Sequence, residues 1–257
     1  MLRFVVALVL AVAPATAQDL DSVITAEVRP GWRMGDTHVA ALHLTLAPGW
    51  KTYWRSPGDA GIPPLFDWDG GVPVRVHWPA PVVFHQSGMR SVGYADEVVL
   101  PLSVAVAPGA DVTLSGTVDL GLCDDICLPH RVRVSARLPA DATQPDPVIA
   151  AALASRPFSA AEAGLGAVRC DVWLREGEVQ LRADIPLGGR GPVETVIETA
   201  DPEVWVADPD SRWVDGGLVA ETRLRHVDGG AFALDRSGVR ITVLQPGQAI
   251  DIRGCTR

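Results

Sequence analysis

The chain has 257 residues, with 22 Lys and Arg against 31 Asp and Glu, giving a formal net charge of −9. The acidic residues are scattered and no basic stripe is interleaved with aromatics, so nucleic acid is a poor partner and the charge reads as solubility. Lysine occurs once, at Lys51, whereas 25 Gly and 21 Pro are spread along the chain, as expected of many turns joining short strands.

The first segment reads as an address. Arg3 supplies a positive charge, Phe4 to Val12 is an unbroken apolar run, and Ala15-Thr16-Ala17 is a small-x-small site, so residues 1–17 are expected to be a signal peptide cleaved before Gln18. The run is far short of the roughly 20 residues a bilayer demands, and no later stretch approaches that length. The expectation is export without membrane insertion after cleavage. About 240 residues remain, enough for one large domain or two of ordinary size.

Strand signals follow. Ser22 to Val28, Val39 to Leu46, Val72 to His77, Val98 to Val106 and Val112 to Leu122 alternate or are β-branched, bounded by Gly, Pro or Asp. Arg131 to Leu138 adds another, with Val132, Val134 and Ala136 on one face and Arg131, Arg133, Ser135 and Arg137 on the other. The polar, proline-rich stretch 139–147 reads as a linker. Val148 to Ser155 is the one helical stretch, capped by Asp146 with Pro147 in the first turn. Strand patterns resume over Ala167 to Leu174, Glu178 to Ile185, Val193 to Thr199, Val204 to Ala207, Leu218 to Arg225 and Val239 to Leu244. The fold class is all-β: two sandwiches, over 18–138 and 166–257, joined by a proline-rich linker and short helix over 139–165.

Four cysteines in an oxidising compartment are expected to form disulfides. Cys123 and Cys127 are local neighbours, so the expected pairs are Cys123–Cys127 and Cys170–Cys255. The second closes a loop of more than 80 residues and reads as a staple. The first closes a very small loop and stabilises little by chain entropy. That weak structural return favours a redox role, although spacing alone leaves an ordinary hairpin disulfide equally open. Asp119, Asp124 and Asp125 are expected to raise the local thiol pKa. The CxxxC spacing is off the usual zinc pattern, even with His130 as a third ligand. Copper held by His85, Met89 and His130 is another open reading. No helix follows the pair to stabilise a thiolate as in thioredoxin.

Two other segments draw notice. Trp50, Tyr53 and Trp54 lie within five residues and cannot all point inward from one strand, so part of this cluster is expected to form a surface platform for a partner. A sandwich core is the plainer alternative. Trp78 to Tyr94 shows no strand pattern in its middle and reads as a loop, either covering a reactive site or simply connecting strands.

On three ordered segments the chain resembles the periplasmic N-terminal domain of the thiol:disulfide interchange protein DsbD, particularly the variant at the front of the copper-tolerance relative ScsB. They are Gly49-Trp50-Lys51-Thr52-Tyr53-Trp54 with Pro57-Gly58-Asp59-Ala60-Gly61, then Tyr94 to Pro101, then Cys123-Asp124-Asp125-Ile126-Cys127-Leu128-Pro129. They span about half of the first domain; the second carries no matching motif. The resemblance implies immunoglobulin-like sandwiches, a periplasmic location and a protein-disulfide reductase acting as an electron-transfer component. Its implied donor is a membrane thiol carrier of the DsbD/CcdA type, met here as a separate protein. Its implied acceptors are oxidised periplasmic proteins, thioredoxin-like or disulfide-isomerase-like. Cys127 would form the mixed disulfide and Cys123 resolve it, with Phe84 in a shielding cap loop. Asp119, Asp124 or Asp125 would shuttle a proton, and no metal or other cofactor is needed. The cysteine spacing is shorter than in the best-known DsbD members. The alternative is a non-catalytic binding or copper-handling sandwich in which both disulfides are structural.

Overall fold

The computed structural model describes residues 20–59, 61–86 and 88–257; the expected signal segment lies outside them. The strands, in chain order, are β1 (Ile24–Met34), β2 (Thr37–Leu46), β3 (Lys51–Tyr53), β4 (Leu65–Trp68), β5 (Val74–Val76), β6 (Val82–Gln86), β7 (Met89–Ala95), β8 (Glu97–Ala105), β9 (Val112–Cys123) and β10 (Cys127–Leu138). After α1 (Pro147–Ala154) come β11 (Phe158–Ser159), β12 (Arg169–Arg175), β13 (Glu178–Ile185), β14 (Glu194–Glu198), β15 (Val204–Val206), β16 (Asp210–Val214), β17 (Gly217–His226), β18 (Arg240–Gln245) and β19 (Gln248–Arg253).

Four sheets make two sandwiches, as expected. In the first, the sheet β1-β2-β8-β5 faces the sheet β10-β9-β3-β7-β6, with β4 added on β9. In the second, β11-β19-β18-β14 faces β12-β13-β17-β15, with β16 added on β17. Alternation sets which side chains enter the core. On β10, Val134 and Leu138 are buried while Arg131, Arg133 and Arg137 face outward. There they meet Asp119, Asp69 and Asp111.

Helix α1 begins where its cap predicts: the Asp146 carboxylate accepts from the Val148 and Ile149 amides at 2.8 and 3.2 Å. It also meets Arg29 at 2.8 Å, tying the linker to β1. Ile149 is fully buried against Trp32, Val39, Ala41 and Val99, so α1 covers the outer face of β2 and β8. Burying one such side chain contributes about 1.5–3 kcal/mol.

The stretch expected to be a loop is instead the hairpin β6–β7, with Gln86 paired to Met89 and Val83 to Val92. Gly88, at φ 79°, supplies the left-handed backbone near its tip. Ser91 to Tyr94 are buried consecutively, so both faces of β7 are covered and no alternation marks it as a strand.

The sandwiches share an interface. Val196, Leu244 and Ala249 of the second join the first core. The Arg55 guanidinium stacks 3.6 Å from the Trp54 ring and donates to both Glu198 oxygens at 3.0 and 2.8 Å. Arg90 on β7 donates to Glu194 Oε2, Asp208 Oδ1 and the Thr195 carbonyl, each at 2.9 Å.

Candidate functional site

The long hairpin β9–β10 stays in register to its tip, where Cys123 pairs with Cys127 around Asp124-Asp125-Ile126. The Cα atoms come within 4.1 Å and the two sulfurs are bonded. Val118, Leu120 and Leu122 occupy the inner face of β9 and are essentially fully buried; Asp119, Gly121 and Cys123 alternate to the outer face. The two sulfurs differ in access: Cys123 is 3% exposed, whereas Cys127 is half-buried beside the exposed Ile126.

Strand β3 lies against β9 with Lys51 opposite Cys123 and Thr52 opposite Leu122. Thr52 anchors this pairing by donating to the Gly121 carbonyl at 2.9 Å. Trp50 and Trp54 enter the core, while Tyr53 lies on the outer side beneath Pro57, Gly61 and Ile62. The Tyr53 hydroxyl donates to the Cys127 sulfur at 2.8 Å. Burial raises the phenol pKa, so Tyr53 remains a donor at neutral pH. The ring needs glycine beneath it: a Cβ at Gly121 would lie 2.6 Å from Tyr53 and 2.7 Å from Ile62. The expected aromatic platform is therefore corrected. Trp50, Tyr53 and Trp54 are all buried, because alternation takes the tryptophans inward and the loop covers the tyrosine.

The hairpin β6–β7 approaches this face. Phe84 is partly buried, with Lys51 Nζ 5.3 Å from its ring centroid. Lys51 Nζ also donates to Gln86 Oε1, and Gln86 Nε2 donates to the Asp124 carbonyl at 3.0 Å. Sequence reasoning singled out Phe84 but missed Lys51 and Gln86. The available signal was a single lysine set between Trp50 and Tyr53.

The three acidic candidates differ. Asp124 and Asp125 are exposed on the turn. Asp119 binds Arg131 at 2.5 and 2.8 Å, and that hydrogen bond holds its carboxyl below the usual range, making it a poor proton shuttle. The copper candidates have other engagements: His85 meets Glu194 at 3.2 Å and His130 meets Asp21 at 3.3 Å, while Met89 is exposed at the start of β7. Among the described residues, three His, Cys or acidic ligand atoms cluster within 4.8 Å at Asp201, Glu203 and His226, in the second sandwich. Cys170 bonds Cys255 across 85 residues, with Cα atoms 5.6 Å apart, where Arg169 also bridges to Thr256.

Fold and site define a class: a two-sandwich all-β protein with a local disulfide at the tip of one hairpin and a long-range staple in the second sandwich. Residues 18–139, a range that contains every strand of the first sandwich, match the family model described as "Thiol:disulfide interchange protein DsbD, N-terminal". Among solved structures, the chain is similar to the N-terminal periplasmic domain of ScsB from Proteus mirabilis, at 24% identity and a TM-score of 0.67. That match covers 91% of this chain and 92% of the other, and it is a likeness of fold across both sandwiches. No curated protein matches the chain. Among the described residues, no helix is long and apolar enough to cross a membrane.

Proposed function

We propose that the chain is a periplasmic thiol–disulfide exchange module. It accepts electrons from a membrane thiol carrier and passes them to oxidised thioredoxin-like or disulfide-isomerase-like proteins. The observation carrying this reading is the unequal access of the two sulfurs, 3% exposure at Cys123 against a half-buried Cys127. Attack by an external thiolate is confined to the accessible sulfur, so Cys127 forms the mixed disulfide and Cys123 resolves it. The family match over the first sandwich supports the same chemistry.

The test combines reduction with trapping. The native protein is equilibrated with a thioredoxin-like dithiol, and Cys123–Cys127 should be reduced without unfolding. A Cys123→Ala variant should accumulate a mixed disulfide through Cys127. A bond that stays oxidised under native conditions overturns the exchange reading; a variant found only as free monomer overturns the assignment of roles.

A further inference from the structure

Lys51 is 8% exposed, and no carboxylate pairs with it among the described residues. Its ammonium is held by the neutral Gln86 amide and the face of Phe84. A buried cation without a counter-charge is costly. Its cross-strand partner is Cys123, on the same face of the sheet, where directly opposed Cβ atoms sit about 5 Å apart. The oxidised disulfide is neutral, so the counter-charge is missing in this state of the protein. It arises when the disulfide opens.

We propose that Lys51 is a positioning residue for thiol–disulfide exchange, its buried ammonium compensating the negative charge that Cys123 acquires on reduction. The inference rests on the exchange reading above. A donor thiolate attacks Cys127 Sγ, a sulfur–sulfur bond forms between donor and Cys127, and the Cys123–Cys127 bond breaks with its electron pair going to Cys123 as thiolate. The donor's second thiolate then attacks the donor sulfur of the mixed disulfide and releases Cys127 as thiolate. In the outward direction, the Cys127 thiolate attacks one sulfur of the acceptor disulfide, forming a mixed disulfide and releasing the acceptor's other sulfur as thiolate. The Cys123 thiolate then attacks Cys127 Sγ, closing the internal bond and releasing the acceptor as a thiolate. Cys123 is thus leaving group in one step and nucleophile in the other, and a nearby cation favours its thiolate in both.

The other charges around the site do not replace this role. Asp124 and Asp125 on the turn and Asp96 beyond β7 are exposed and well screened. Asp119 is neutralised by Arg131 across β9 and β10. His130 on β10 faces Asp21, and His85 on β6 faces Glu194. Tyr53 on β3 directs its hydroxyl to Cys127. Lys51 is therefore the one buried cation on this face among the described residues. It outweighs the exposed acids that, from the sequence, were expected to raise the thiol pKa.

The test isolates Cys123 as the single thiol of the pair in a Cys127→Ser background, leaving Cys170–Cys255 intact. Thiolate absorbance near 240 nm is followed against pH with Lys51 present and in Lys51→Gln, which keeps a donor for Gln86 and removes the charge. The titration midpoint should rise by about one unit or more in Lys51→Gln, and Lys51→Arg should restore it. Reduction of the otherwise wild-type disulfide by dithiothreitol should slow several-fold in Lys51→Gln. Lys51→Met is read instead if the Gln variant does not fold. Equal midpoints with and without the charge overturn the proposal. Reduction of the wild-type disulfide under native conditions is measured alongside: if that fails, the exchange reading itself falls, whereas unmoved midpoints with normal reduction remove Lys51 alone.

Discussion

Tyr53 places its hydroxyl 2.8 Å from the sulfur of Cys127, so the more accessible cysteine of the pair carries a fixed hydrogen-bond donor. The donor serves an acceptor that grows stronger as sulfur gains charge. A hydrogen bond to an ionised group contributes about 1.5–3 kcal/mol, equivalent to about one pKa unit or more on the thiol. In a Cys123→Ala background, Tyr53→Phe should raise the pH midpoint for alkylation of Cys127 by about one unit while leaving far-UV dichroism unchanged. An unmoved midpoint would remove the hydroxyl from the chemistry.

Gly121 sets the height at which the Tyr53 ring lies. The added methyl of Gly121→Ala would sit 2.6 Å from the ring and 2.7 Å from Ile62, so one of them must move. Overpacking of this kind costs about 1–3 kcal/mol. The variant should unfold at lower urea and exchange more slowly than Tyr53→Phe, because it displaces the ring as well as the donor.

Arg90 joins β7 to the second sandwich through three acceptors, and its side chain is only 10% exposed. Arg90→Ala leaves Glu194 and Asp208 without the guanidinium they share and should cost about 3 kcal/mol. Arg90→Lys should recover little of this, since one ammonium cannot reproduce the planar fork. Hydrogen exchange would localise the damage: β6 and β7 should lose protection before β9 and β10. Uniform loss across the first sandwich would argue against a local clamp.

His38 gives the stability a pH dependence. It is fully buried, its Nε2 donates to the Pro30 carbonyl at 2.6 Å, and burial lowers its pKa. The folded state therefore holds it neutral, while the unfolded chain takes up a proton near pH 6.5. Its contribution is fully present above about pH 6.5 and is lost as pH falls from there toward the folded value, at no more than about 1.4 kcal/mol per pH unit for one proton. Burial also lowers His77, which adds to the slope in the same direction. Urea titrations at about pH 7.5 and 5.5 should show a difference that shrinks in His38→Gln.

Legibility followed periodicity. The β10 strand could be read from Val132, Val134 and Ala136 because its outer face is solvated and its arginines alternate with them. The β6–β7 hairpin was hidden, because β7 is covered on both sides and Arg90 finds its partners more than 100 residues away. The disulfide pairing was readable from spacing. The aromatic cluster was misread because nothing local reveals that Pro57, Gly61 and Ile62 come to lie over Tyr53. Lys51 was visible as the single lysine, yet its meaning depends on a register with Cys123 that exists only once β3 joins β9.

The Cys170–Cys255 bond has a consequence for anyone counting thiols. Cys170 is fully buried, and the bond closes the second sandwich at its C-terminal end. Cys255 is half-buried, as Cys127 is, but its bond spans 85 residues, so opening it removes a long-range constraint that opening Cys123–Cys127 does not. Of the four cysteines, two should respond to the redox conditions around the folded protein and two should not. The chain thus carries its own internal reference: a native reduction that yields two thiols reports on the working pair, and the appearance of four reports that the second sandwich has come apart.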